Sequence, residues 1–114
     1  MKIDSIDDVI AIRKYRLGTS PAESEVEVRI GKPVPSPEVQ DGLEYICPFS
    51  ISHNGKTEFH FTAGIDALQS LLLTLAYLKA HLENLSAEYS HSITWIAGEK
   101  DAVDIYLPEL LKHR

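Results

Sequence analysis

At 114 residues, with 44% apolar and 25% charged side chains, the chain has material for one domain around one core and is neither a disordered tail nor a fibre. Seventeen acidic against eleven basic residues leave a formal charge of −6, which opposes binding to a phosphate backbone and favours a basic protein partner. One cysteine excludes an internal disulfide, and the acidic opening MKIDSIDDVI stands where a secretion leader would be basic, so a cytoplasmic protein is expected.

The first two elements read as a β-hairpin. Val9 to Leu17 and Glu25 to Ile30 are strand-like and flank the turn-forming stretch GTSPAES. In the second strand Val26, Val28 and Ile30 alternate with charged residues, the pattern of a sheet with one dry face. In the first, Val9, Ala11, Tyr15 and Leu17 share the inner face. Lys14 and Arg16 then lie outside, across from Glu25 and Glu27. The three prolines of Lys32 to Gly42, KPVPSPEVQDG, indicate an extended surface loop.

Tyr45 to Phe61, YICPFSISHNGKTEFHF, reads as a second hairpin whose turn sets the faces. A two-residue Asn54-Gly55 turn would set Phe49 against His60 and place Phe59 and Phe61 on the other face. A three-residue turn with a bulge at Gly55 would set Phe49 against Phe59 and Cys47 against Phe61. The second register unites the phenylalanines and is preferred on that ground; it directs Cys47 inward and His60 outward.

Gly64 to Leu85, GIDALQSLLLTLAYLKAHLENL, has helical periodicity. Leu68, Leu71, Leu75, Leu78, Leu82 and Leu85, widened by Ile65, Leu72 and Ala76, form the stripe expected on the sheet. Asp66 falls in the first turn, where it suits the helix dipole. The run Leu71 to Leu73 is broken by Thr74 and flanked by Asp66, Gln69, Lys79 and His81, so no membrane span is expected. A strand over Ser92 to Ala97, a turn near Gly98 and a tail complete the chain. The expected fold is α+β over residues 1–114 as one domain: an antiparallel sheet of four to five strands, in two consecutive hairpins, with one long helix across one face.

Chemistry-bearing motifs are weak. Cys47 has no histidine in reach within the preferred hairpin and reads as a small buried residue. Gly55-Lys56-Thr57 echoes a phosphate-binding loop, but Ser50 stands where its first glycine belongs and a strand follows where a helix is needed. The five histidines show no metal-binding spacing, and Asp4, Asp7 and Asp8 lack the glycine of a calcium loop. No catalytic residue, cofactor or metal is therefore assigned.

The back of the helix is distinctive. Opposite the leucine stripe stand Asp66, Gln69, Ser70, Leu73, Thr74, Tyr77, Ala80, His81 and Asn84, with one charge among nine. Solvated helix faces collect Lys and Glu, so this face resembles an interface, with Leu73 and Tyr77 as anchors and Gln69, Ser70 and His81 around them. The alternative is that the C-terminal segment, with Trp95, Ile105, Tyr106 and Leu107, folds over it.

The order VRIGKP (28–33), YICPFSI (45–51), GIDALQSL (64–71), Trp95 and Leu107-Pro108 resembles a family of small bacterial proteins carried as a domain of unknown function. That resemblance implies no catalytic residues. The function expected is a non-catalytic interaction module that binds itself or a protein partner, with no nucleic acid or membrane; small size and acidity also permit a toxin-neutralising role. The rival is a small enzyme or ligand-binding domain with a pocket between helix and sheet, using His60, Tyr77 or His81.

Overall fold

The computed structural model describes residues 1–18, 23–39, 42–89 and 93–95. The chain runs through β1 (Val9–Leu17), β2 (Ser24–Gly31), β3 (Val34–Pro35), β4 (Tyr45–His53), β5 (Lys56–Gly64), α1 (Ala67–Tyr89) and β6 (Ile93–Trp95). All pairings are antiparallel, and the longer strands and β6 lie in the order β5-β4-β2-β1-β6. The two-residue β3 pairs with the start of β4. This is an α+β fold, with α1 packed mainly on β5 and β4 and the chain returning at β6 to the far edge beside β1. Of the expected strand 92–97, Ile93–Trp95 is described. The turn near Gly98, the tail beyond it, His91, His113 and much of the first turn lie outside the described residues.

In the first hairpin the pairs Lys14↔Glu27, Arg16↔Glu25 and Tyr15↔Val26 follow the expected register. Val26, Val28 and Ile30 are buried, and the outer face carries Lys14–Glu27 and Arg29–Glu27 ion pairs at 3.9 and 2.6 Å. Val9 is half-buried and Ala11 exposed, because an irregularity between them breaks the alternation. Arg13 lies opposite Val28, in phase with the core, beside buried Tyr15. Burial raises the Tyr15 pKa, and the Arg13 guanidinium opposes that rise.

The second hairpin corrects the preferred register. The loop is the two-residue Asn54-Gly55, both residues with positive φ (54° and 75°), which is the type I′ geometry that Asn-Gly favours. His53 therefore opposes Lys56, Phe49 opposes His60, and Cys47 opposes Thr62. Cys47 and His60 thus share the helix-side face instead of lying on opposite faces, while Phe59 and Phe61 share the other face with Pro48 and Ser50. Uniting the phenylalanines was the wrong criterion because the second face is also partly covered. Asp8 accepts a 2.8 Å bond from the Lys32 amide, and Ser5 and Ile6 line a hollow of about 440 Å³ with Phe59.

The core is made by Tyr15, Leu17, Val26, Val28, Ile30, Phe49 and Ile51 of the sheet against Leu78 and Leu82 of the helix, with Leu71, Leu75 and Leu85 at its margin. Each fully buried aliphatic side chain contributes roughly 1.5–3 kcal/mol relative to exposure. Asp66 lies just before α1, not within its first turn. Its Oδ1 accepts a 2.7 Å bond from the Gln69 amide, while the Gln69 side chain accepts one of 2.8 Å from the Ile65 amide. These two bonds satisfy donors that a helix start leaves open. Gly64 precedes this cap; a Cβ there would sit 2.7 Å from the Ser70 nitrogen, so only glycine lets β5 turn into α1 so closely.

Candidate functional site

The side of α1 that meets the sheet is not the leucine stripe alone. The Thr62 hydroxyl on β5 donates to the Ser70 carbonyl at 2.7 Å, which leaves the Thr74 hydroxyl to donate to Thr62 Oγ1, also at 2.7 Å. Ser70 Oγ donates in turn to the Ala67 carbonyl at 2.9 Å. Ser70 and Thr74 are fully buried. Small side chains let the helix approach β5, and the hydrogen bonds compensate the burial of their hydroxyls. The helix is consequently rolled so that Ser70 and Thr74, expected outside, lie inside. Ile65, Leu68, Leu72 and Ala76, expected inside, are exposed, the first three by 72, 63 and 53%.

The five residues singled out on the back of the helix separate accordingly. Ser70 is buried and drops out of any exposed surface. Gln69 is exposed and occupied in the cap. Leu73 and Tyr77 keep 44 and 41% exposure. His81 is half-buried beside Tyr77, with ring centres 6.2 Å apart. The exposed residues of α1 from Leu68 to Ala80 are therefore Leu68, Gln69, Leu72, Leu73, Ala76, Tyr77 and Ala80, with Lys79 half-buried on the same side. Leu68 and Leu72 could not be assigned to it from periodicity, because leucines at helical spacing are read as core. The signal that could have found them is the small polar pair Ser70 and Thr74, four residues apart, which fits a closely approached sheet better than a solvated face.

Where α1 crosses β5 and β4, a ring cluster forms. Phe49 stacks on His60 at 5.4 Å, and Tyr77 lies against both, at 5.2 and 5.5 Å. Such contacts add about 0.5–1.5 kcal/mol beyond burial. His60 Nε2 is 3.3 Å from Glu58 Oε1 on the same face. At the end of β4, His53 shares a 3.0 Å hydrogen bond with Ser24 and meets the edge of the Tyr89 ring. Burial lowers the His81 pKa; Glu58 opposes this, His60 reinforces it, Glu88 opposes it and His53 reinforces it. The structure thus gathers His60, Tyr77 and His81, which the rival reading named, around a packed stack of rings.

Cys47 is fully buried, its sulfur 3.6 Å from the Gly31 carbonyl oxygen. Burial pushes its pKa up, with Thr74 opposing, so the thiol is held away from the thiolate that a nucleophile needs. Gly55 lies in the turn and Lys56 and Thr57 open β5, so no helix N-terminus follows the GKT tripeptide. Among the described residues no group of three His, Cys, Asp or Glu side chains is placed to hold a metal ion, and no helix is long and apolar enough to cross a membrane.

Neither a curated protein nor a solved structure matches the chain. A family model does match, over residues 11–105, which takes in every strand and the helix except the first residues of β1. The chain belongs to the family described as Domain of unknown function (DUF6968).

Proposed function

We propose that the protein is a non-catalytic interaction module, acting in the cytoplasm, whose docking surface is the apolar stretch on the solvent side of α1. The observation that carries this reading is the run of exposed Leu68, Leu72, Leu73, Ala76, Tyr77 and Ala80, bordered on the same side by half-buried Lys79 and, one turn on, by exposed Glu83. Contiguous apolar surface of this kind costs solubility and is kept where something covers it. Leu73 and Tyr77 supply the aliphatic and aromatic anchors typical of interface centres. The formal charge of −6 disfavours nucleic acid and suits a basic protein partner. Binding and blocking a toxin would be one use of such a surface.

Two measurements test the reading together. Light scattering over a concentration series reports self-association, and purification from the native cell followed by identification of co-purifying protein reports a partner. Complex formation by the wild type that is lost in Leu72→Asp or Leu73→Asp, with unchanged thermal stability, is the expected result. A wild type that remains alone in both experiments, or the absence of any complex sensitive to either substitution, would overturn the assignment of this face.

A further inference from the structure

We infer that a second copy of this chain docks on the outer edge of β5, extending the sheet across a two-fold axis through Phe59. Among the described residues β5 pairs on one side only, with β4, and its other side is an edge. Protein edges are normally protected by proline, bulges, charges or short length, and on β5 the charges are Lys56 and Glu58, the second of which the Phe59-centred pairing matches. β5 has nine residues, KTEFHFTAG, and pairs in unbroken register from Lys56 to Gly64 with no proline and no bulge.

The hairpin geometry determines which backbone groups this edge offers. The two-residue turn makes His53↔Lys56 a hydrogen-bonded pair, and such pairs recur at every second position. Residues 58, 60 and 62 therefore bond to β4, and Thr57, Phe59, Phe61 and Ala63 present N–H and C=O outward. An antiparallel copy must pair among these four. Pairing Phe59 with Phe61 of the copy would bring His60 against His60, a juxtaposition of like groups.

Pairing Phe59 with itself instead sets Thr57 against Phe61 and Glu58 against His60, twice by symmetry. The two Glu58–His60 pairs fall at non-hydrogen-bonded positions, where side chains approach most closely. Glu58 is 47% exposed and His60 32% exposed, so both can reach across. In this register a carboxylate meets an imidazole donor twice, as an isologous contact requires.

Opposed residues of an antiparallel pair share a face, so both helices lie on the same side of the joined sheet. Tyr77, at 5.5 Å from His60, then faces the two-fold axis. Leu72 is about 140° around the helix from Tyr77 at about 100° per residue and points away from it. This inference rests on the interaction reading, and names one occupant and a different contact surface.

Light scattering and sedimentation of the full chain over a concentration series, with thermal melts as a folding check, test it. The wild type is expected to dimerise. Phe59→Pro removes an outward amide without touching the β4 ladder and should weaken the dimer at least tenfold. Glu58→Lys should weaken it about tenfold by removing the carboxylate that His60 meets, His60→Glu should weaken it about tenfold by setting carboxylate against carboxylate, and the two combined should recover most of the loss. Leu72→Asp should leave the dimer intact. A monomeric wild type, a dimer unaffected by the β5 substitutions, or a double variant no better than the singles overturns the pairing. Association that is lost only in Leu72→Asp would overturn it too, while leaving the helix-face reading standing.

Discussion

The two sides of α1 invert the usual division of labour. The side against the sheet combines Leu78 and Leu82 with two hydroxyl residues, Ser70 and Thr74, all buried. The side toward solvent presents Leu68, Leu72 and Leu73. A helix that simply maximised apolar burial would be rolled the other way. The difference teaches that the orientation is set where helix and β5 approach most closely, at Gly64 and Thr62, and that the leucines outside are available for another role.

Truncation on the two sides should give the sharpest contrast. Leu78→Ala removes a fully buried side chain and is expected to cost about 2–5 kcal/mol in chemical denaturation, whereas Leu72→Ala should stay within about 0.5 kcal/mol. Equal costs would mean that Leu72 is covered in the isolated protein. Next in size is Gly64→Ala: its Cβ meets backbone, not a flexible side chain, so a loss of about 1–3 kcal/mol is expected. No loss would show that the close approach of β5 and α1 does not set the helix orientation.

The hydroxyl contact is a smaller effect. Thr74→Val and Thr62→Val should each cost about 1–2 kcal/mol, and the double variant less than their sum, since the two hydroxyls bond each other. Strict additivity would dissolve the pair. The smallest expected effect is electrostatic. The folded His81 pKa is depressed, so its contribution to stability is present above the unfolded value near 6.5 and is lost as pH falls toward the folded value. Denaturation curves at pH 7.5 and 5 should therefore differ less for His81→Gln than for the wild type.

Much of this was legible in the sequence, and the failures are specific. The alternation of Val26, Val28 and Ile30 and the facing charges of Lys14 and Glu27 led directly to the first hairpin. For the second, Asn54-Gly55 points to the two-residue turn, whereas burial of Phe49, Phe59 and Phe61 on one face points to the bulged one. The burial criterion fails because the sheet's other face is also partly covered, where Ser5, Ile6 and Phe59 meet. The candidate surface was legible as a nearly uncharged helix side. Its membership was not, because a period of 3.6 residues identifies a face and does not say which of two overlapping faces meets the sheet.

The sequence by itself determined the α+β class, the order of hairpins and helix, the inward valines and the buried Cys47, since these follow from local periodicity and composition. Tertiary structure alone decided that Thr62 would meet Ser70 and Thr74, that Tyr77 would join the Phe49–His60 pair, and that Leu68 and Leu72 would face solvent. Those outcomes depend on how closely the consecutive elements β5 and α1 approach and at what roll. That distance is set by the absence of a Cβ at Gly64 and the reach of a threonine hydroxyl.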